Sequence, residues 1–141
     1  MSRAGAAAAV LAAAALSLLS PAANAQSLEC RANQKPRQVA ELLFGRNIGN
    51  RLGVTEKLWA AFVDREITPR FPDGLSVLDV RGQWRDPARN IIVHEPSKMV
   101  EIVLPGQADD LDRLDEIGAA YKARFRQQSV GIVVRPACVS F

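Results

Sequence analysis

The side chains equipped for chemistry are few, and most of them gather in two short stretches, Arg70-Phe71-Pro72-Asp73-Gly74 and His94-Glu95-Pro96-Ser97-Lys98. His94 is the only imidazole in 141 residues. An imidazole beside a carboxylate can act as a general base, which makes His94 with Glu95 the acid–base pair offered by proximity in the chain. A hairpin joining Gly82-Gln83-Trp84 to the second stretch would bring Trp84 next to both. The residues singled out for ligand contact are therefore Arg70, Asp73, Trp84, His94, Glu95 and Lys98, together with Tyr121 from a downstream helix; none is assigned a catalytic role. The competing account of the same residues is structural, with Asp73 shaping a turn, Trp84 filling core and His94-Glu95 forming an exposed strand pair.

Other chemistries lack their residues. There is no Gly-x-Ser-x-Gly elbow, phosphate loop, His-Glu-x-x-His or Cys/His metal set, so no metal site and no cofactor are expected. The 18 Lys and Arg are interleaved with 15 Asp and Glu, and no aromatic pair suited to base stacking falls on a predicted strand. That argues against nucleic-acid binding.

The elements that must position these residues begin after a leader. Arg3 supplies a positive start, Ala6 to Leu19 is an apolar stretch too short to span a bilayer, and Ala23-Asn24-Ala25 is a small-x-small cleavage site. Residues 1–25 are thus read as a secretory signal cut after Ala25, and the product as periplasmic or secreted. Glu29 and Ser27 ahead of Cys30 do not fit a lipid-attachment signal, and no later stretch approaches the ~20 apolar residues of a membrane span. In an oxidising compartment the two cysteines, Cys30 and Cys138, pair as a structural bridge closing nearly the whole mature chain. Neither has the Cys-x-x-Cys setting of a redox catalyst.

Residues 26–37 form a polar, extended lead-in tied down at Cys30, and residues 38–141 form a single domain. Val39 to Phe44 reads as a central strand, and the Gly- and Asn-rich segment 45–53 as a loop. Thr55 can cap a helix whose apolar stripe is Leu58, Trp59, Phe62, Val63 and Ile67, ending before Thr68-Pro69. Leu75 to Trp84 alternates as a half-buried strand, with Leu78, Val80, Gly82 and Trp84 on one side. Ile91 to Leu104 reads as a long strand with a bulge or bend at Pro96. A second helix turns Leu111, Leu114, Ile117, Tyr121 and Phe125 inward, with Asp109, Asp110 and Asp112 at its start matching the helix dipole. Ser129 to Val134 is the last strand.

Strand, helix, strand, strand, helix, strand is the pattern of an α+β, ferredoxin-like βαββαβ sandwich, a four-stranded antiparallel sheet with two helices on one face. In that layout the first and last strands are antiparallel neighbours, which brings Cys30 and Cys138 together. The free sheet face is expected to carry Val39, Glu41, Leu43, Asp79, Arg81, Gln83, Met99, Glu101, Val103, Val133 and Arg135. An apolar strip fringed by charge on that face favours a homodimer formed through it.

Leu43-Phe44-Gly45, Trp59 with Phe62, the run Pro69-Arg70-Phe71-Pro72-Asp73-Gly74-Leu75, Gly82-Gln83-Trp84, Glu95-Pro96-Ser97-Lys98, Tyr121 with Phe125, and Gln127-Gln128-Ser129-Val130 together resemble a family of small secreted bacterial proteins, domain of unknown function 3574. The likeness covers about residues 40–134. It implies secretion and a single domain, and it carries no activity, cofactor or catalytic residue. Two functions are weighed. The first is a disulfide-stapled envelope module that binds a small ligand or a protein partner. The second is a small cofactor-independent enzyme, monooxygenase- or isomerase-like by analogy of architecture, using His94 and Glu95 in a pocket beside Trp84.

Overall fold

Residues 29–141 are described by the computed structural model; the expected leader and its cleavage site lie outside them. The chain forms β1 (Lys35–Gly45), a small hairpin of β2 (Asn47–Ile48) and β3 (Arg51–Leu52), α1 (Glu56–Phe62), β4 (Ser76–Asp86), β5 (Ile91–Val103), α2 (Asp110–Phe125) and β6 (Gly131–Val139). β4, β5, β1 and β6 make one antiparallel sheet in that order. This is the ferredoxin-like arrangement expected from the order of elements.

Ala40, Leu42 and Phe44 of β1 and Val100 and Ile102 of β5 alternate onto the helix-covered face and are fully buried. Against them lie Trp59, Phe62, Leu114, Ile117, Tyr121 and Phe125. The rings meet edge to face, with centroids 4.8 Å apart for Phe44 and Tyr121 and 5.0 Å for Phe62 and Tyr121. That geometry sets the positive edge of one ring against the negative face of the next. Thr55 caps α1 by accepting from the Leu58 amide at 3.3 Å. α1 runs on into a wider π-helical turn, Val63–Ile67, closed by Thr68 N donating to Val63 O at 2.9 Å. The widening brings Phe62 and Ile67, five residues apart, onto one buried side, which 3.6 residues per turn would not do.

Two members of the expected helix stripes lie outside the core. Leu58 and Leu111 are 39% and 52% exposed, because each falls at the margin of its stripe where no opposing element reaches it. Asp110 is buried: its Oδ2 accepts from the amides of Gly106 and Gln107 at 2.8 and 2.9 Å, and its Oδ1 meets Arg113. The acidic run stands at the start of α2, as expected for a helix N-terminus, and Asp110 in addition closes the turn before it. The expected loop 45–53 contains the β2–β3 hairpin.

No bulge occurs at Pro96. The β4–β5 register runs unbroken from Ser76↔Glu101 to Asp86↔Ile91, and the β1–β5 register from Val39↔Val103 to Gly45↔Ser97. Pro96 lies one residue past the end of that second ladder, and its carbonyl accepts from Arg46 N at 3.1 Å. The missing amide would point the same way, beyond the last ladder bond of β1, so the ring costs the sheet nothing. At the opposite corner β1 and β6 extend to Lys35↔Val139, and Cys30 and Cys138 are joined, their Cα atoms 5.4 Å apart.

The register also corrects the membership of the open face. Met99 pairs with Leu78 and Lys98 with Asp79. Val39, Glu41, Leu43, Met99, Glu101, Val103, Val133 and Arg135 therefore share the open face with Leu78, Val80, Gly82 and Trp84. Asp79, Arg81 and Gln83 belong to the other face, where no helix covers β4 and all three are exposed.

Candidate functional site

A cleft of about 500 Å³ opens on the uncovered face, where β4, the end of β1 and the segment after α2 converge. Its floor is made of strand positions without side chains. A Cβ on Gly45 would fall 2.5 Å from Glu95 Oε1, one on Gly82 2.5 Å from Ser97 Oγ, and one on Gly131 3.3 Å from the Leu43 side chain. At Gly45 and Gly82 the absence of a side chain lets Glu95 and Ser97 lie flat across the sheet, and at Gly131 it leaves Leu43 its place.

Glu95 occupies the space over Gly45. Trp84 Nε1 donates to its Oε1 at 2.8 Å, and the Asn47 amide donates to its Oε2 at 3.0 Å. Both oxygens are thereby oriented, and each keeps a lone pair for a further donor. The donors come from different places. Trp84 is on β4, two residues past the Gly82↔Glu95 pair and on the same face, and Asn47 opens the small hairpin just after β1. Gln127 holds the far wall, its Nε2 donating to Asn47 O at 2.7 Å. Arg126, in the left-handed conformation (φ 52°), ends α2 and turns Gln127, Gln128 and Ser129 along the cleft. Beneath the floor, Tyr121 Oη donates to Gly45 O at 2.8 Å, tying the aromatic core to the strand end that carries the site. Burial pushes the Tyr121 phenol above its ordinary value, so it stays a donor throughout the physiological range.

Of the seven residues expected to contact a ligand, the structure brings two into one cleft, Trp84 and Glu95. His94 is exposed and lies on the opposite face from Glu95, because consecutive strand residues alternate sides. It does not border the cleft, and the expected acid–base pair is not formed. Tyr121 is fully buried and acts from behind the floor. Lys98 is 4% exposed on the helix side, with Nζ 2.9 Å from Glu56 Oε2 and 2.5 Å from Asp79 Oδ1. Burial works against its charge, but the hydrogen bonds to Asp79 and Glu56 outweigh it and raise its pKa above the ordinary lysine value. Arg46, also buried, reaches the other oxygen of Glu56 at 2.6 Å, so these four residues clamp the start of α1 to the sheet.

Arg70 is taken up by structure. It donates to Glu66 O at 2.8 Å and to Glu116 Oε2 at 3.0 Å, linking the end of α1 to α2. Asp73 lies at the opposite end of the sheet, on a second opening lined by Arg37, Ser76, Glu101 and Phe141. Sequence reading missed Gly45, Asn47, Gly82 and Gln127 as site residues. An isolated glycine within an alternating strand, Gly82, was the signal available for a close approach.

Among the described residues no group of His, Cys, Asp and Glu is arranged to hold a metal ion, and no helix is long and apolar enough to cross a membrane.

A family model described as protein of unknown function (DUF3574) matches residues 39–141. No curated protein matches the chain. Among solved structures, a phage SAM lyase in complex with S-methyl-5′-thioadenosine is similar at TM-score 0.60 and 17% identity, covering 81% of this chain and 95% of that one. A phage SAM lyase in its apo state gives 0.57 and 19%, covering 82% and 97%. CutA from Synechococcus elongatus PCC7942 gives 0.50 and 11%, covering 74% and 80%. At these identities the likeness is one of fold.

Proposed function

This chain belongs to the DUF3574 family, and we propose that it is a small-molecule-binding module that works outside the cytoplasm, holding its ligand in the Trp84–Glu95 cleft. The observation that carries the reading is the Glu95 carboxylate, set over Gly45 with both oxygens oriented by Trp84 Nε1 and the Asn47 amide. A carboxylate only accepts hydrogen bonds, so the ligand group that meets it is a donor, such as an amino group. Trp84 supplies an aromatic wall beside that contact, and Gln127, Gln128 and Ser129 supply polar partners along the rim.

The Cys30–Cys138 bridge supports an oxidising compartment, and the leader read in residues 1–25 supports export. Binding rather than turnover is proposed because His94, the base on which the enzyme alternative rested, faces away from the cleft. Self-association remains part of the reading, but not across the whole open face. Packing two open faces together would fill the cleft that binds.

The test is a calorimetric titration. S-methyl-5′-thioadenosine is the first probe, because a protein of similar fold is complexed with it and its adenine carries an amino group; free nucleosides and primary amines follow. Saturable binding is expected for at least one probe, weakened about tenfold or more in Glu95→Gln and in Trp84→Phe, as befits the loss of a hydrogen bond involving a charged group. Binding that is unchanged in both variants, or no saturable binding across the set, overturns the proposal.

A further inference from the structure

The two edges of the sheet are unlike. At the β6 edge the backbone is interrupted. Leu104 N bonds Gln38 O, so Gln38 directs its backbone toward β5, Val39 toward β6, and Pro136 outward. A proline whose missing amide lies on the outer edge prevents another strand from docking there. The β4 edge has no such device. It is eleven residues long, contains no proline, and keeps one register along its length. The carbonyl of Pro96 faces β1, so Ser97 and its partner Val80 face each other across the β4–β5 ladder. Val77, Asp79, Arg81 and Gln83 consequently turn their backbone N–H and C=O groups outward, to solvent. Neither helix overhangs this edge, since the side chains of these four residues are all exposed.

We infer that β4 pairs antiparallel with β4 of a second copy of this chain, about a two-fold axis at Val80, to give a continuous eight-stranded sheet. In this register Asp79 stands opposite the partner's Arg81, and Arg81 opposite the partner's Asp79, so both symmetry-related ion pairs form on one face. The positions also alternate correctly: Asp79 and Arg81 both carry outward backbone groups and exchange two hydrogen bonds across the axis. Arg81 makes no ion pair among the described residues, whereas Arg85 is engaged by Asn90 at 2.9 Å, which favours this register over one that would use Arg85. On the open face the partner's Leu78 stands opposite Gly82 and the partner's Ser76 opposite Trp84. Leu78, 43% exposed in the single chain, is thereby brought beside Gly82 of the second copy, and the β4 side of the ligand cleft is completed by that copy.

The inference does not rest on ligand binding and is tested without ligand, by sedimentation equilibrium of the purified chain over a range of concentrations. A reversible dimer is expected. Arg81→Asp, which sets two carboxylates opposite each other at both symmetry positions, is expected to weaken it tenfold or more. Gln83→Pro removes an outward amide that no bond within the chain uses, and is expected to abolish dimerisation while circular dichroism and thermal unfolding stay near those of the unaltered chain. A monomer at the highest soluble concentration overturns the inference, as does a dimer that survives both substitutions. A dimer broken instead by Leu43→Asp on the open face also overturns it, placing the second copy there. The titration of the preceding section is read separately, so failure of either idea leaves the other standing.

Discussion

Phe44 and Gly45 are neighbours on β1, yet they serve faces finished in opposite ways. On the helix side Phe44 meets Trp59, Phe62 and Tyr121 in a set of buried rings, with the Tyr121 hydroxyl tied to the backbone of Gly45. On the open side Gly45, Gly82 and Gly131 withhold side chains, and the space over Gly45 goes to a carboxylate oriented by an indole and a backbone amide. One face spends its surface on stability, the other keeps a polar recess. The difference predicts that the two can be damaged independently.

The largest effect is expected from Phe62→Ala. It removes a fully buried ring from the centre of the cluster and should cost about 3–5 kcal/mol in denaturant unfolding, while the folded fraction keeps its ligand affinity. Gly45→Ala should behave in the reverse way. Its new methyl would fall 2.5 Å from Glu95 Oε1, so the carboxylate must move; a stability loss of about 1–2 kcal/mol and a tenfold or greater loss of ligand affinity are expected, with a changed Trp84 fluorescence as direct readout. If Gly45→Ala binds as tightly as the unaltered chain, the open face is not organised around Glu95.

A smaller effect belongs to the clamp that joins the start of α1 to the sheet. Hydrogen bonds from Lys98 hold the Glu56 and Asp79 carboxylates below their ordinary values. Their contribution is complete above the ordinary carboxylate range and disappears as pH falls through the lowered folded values. The contribution of Lys98, whose folded value is raised, is complete below the ordinary lysine value near 10.5 and disappears as pH climbs through the raised one. The difference in melting temperature between the unaltered chain and Lys98→Met should therefore be level from about pH 5 to 9 and shift below about pH 4. A difference that is flat across the acid limb removes the clamp from the account.

The contrast between the faces also explains how much could be read from the chain itself. The helix-covered half was legible because burial leaves a period: Trp59 and Phe62 on α1, and Leu114, Ile117, Tyr121 and Phe125 on α2, show their spacing without knowledge of a partner. The order of elements and the position of the two cysteines then led to the topology and the bridge, both of which the structure contains. The open half depends on strand register, which local pattern leaves undetermined. Leu78, Val80 and Trp84 form the apolar side of β4, yet the register puts them on the open face and sends Asp79, Arg81 and Gln83, expected there, to the other. His94 and Glu95 part for a different reason. Adjacency in sequence suggested a pair, while the pleat of β5 sends them to opposite sides. Trp84 and Glu95 were recognised, but Gly45 and Asn47 were not, because their part in the site is to leave room and to offer a backbone amide.

The bridge from Cys30 to Cys138 has a topological consequence. It makes residues 30 to 138 a covalent circle, with the ends of β1 and β6 fused at one corner of the sheet. In a circle the place where the polypeptide starts is arbitrary. A permuted gene that joins the neighbourhood of Cys138 to that of Cys30 by a short peptide, and opens the chain in the exposed turn at Ala88-Arg89-Asn90, would encode the same circle with its break moved to the tip of the β4–β5 hairpin. Such a permutant would fold without oxidation, and would serve wherever a reducing environment keeps the natural ends apart.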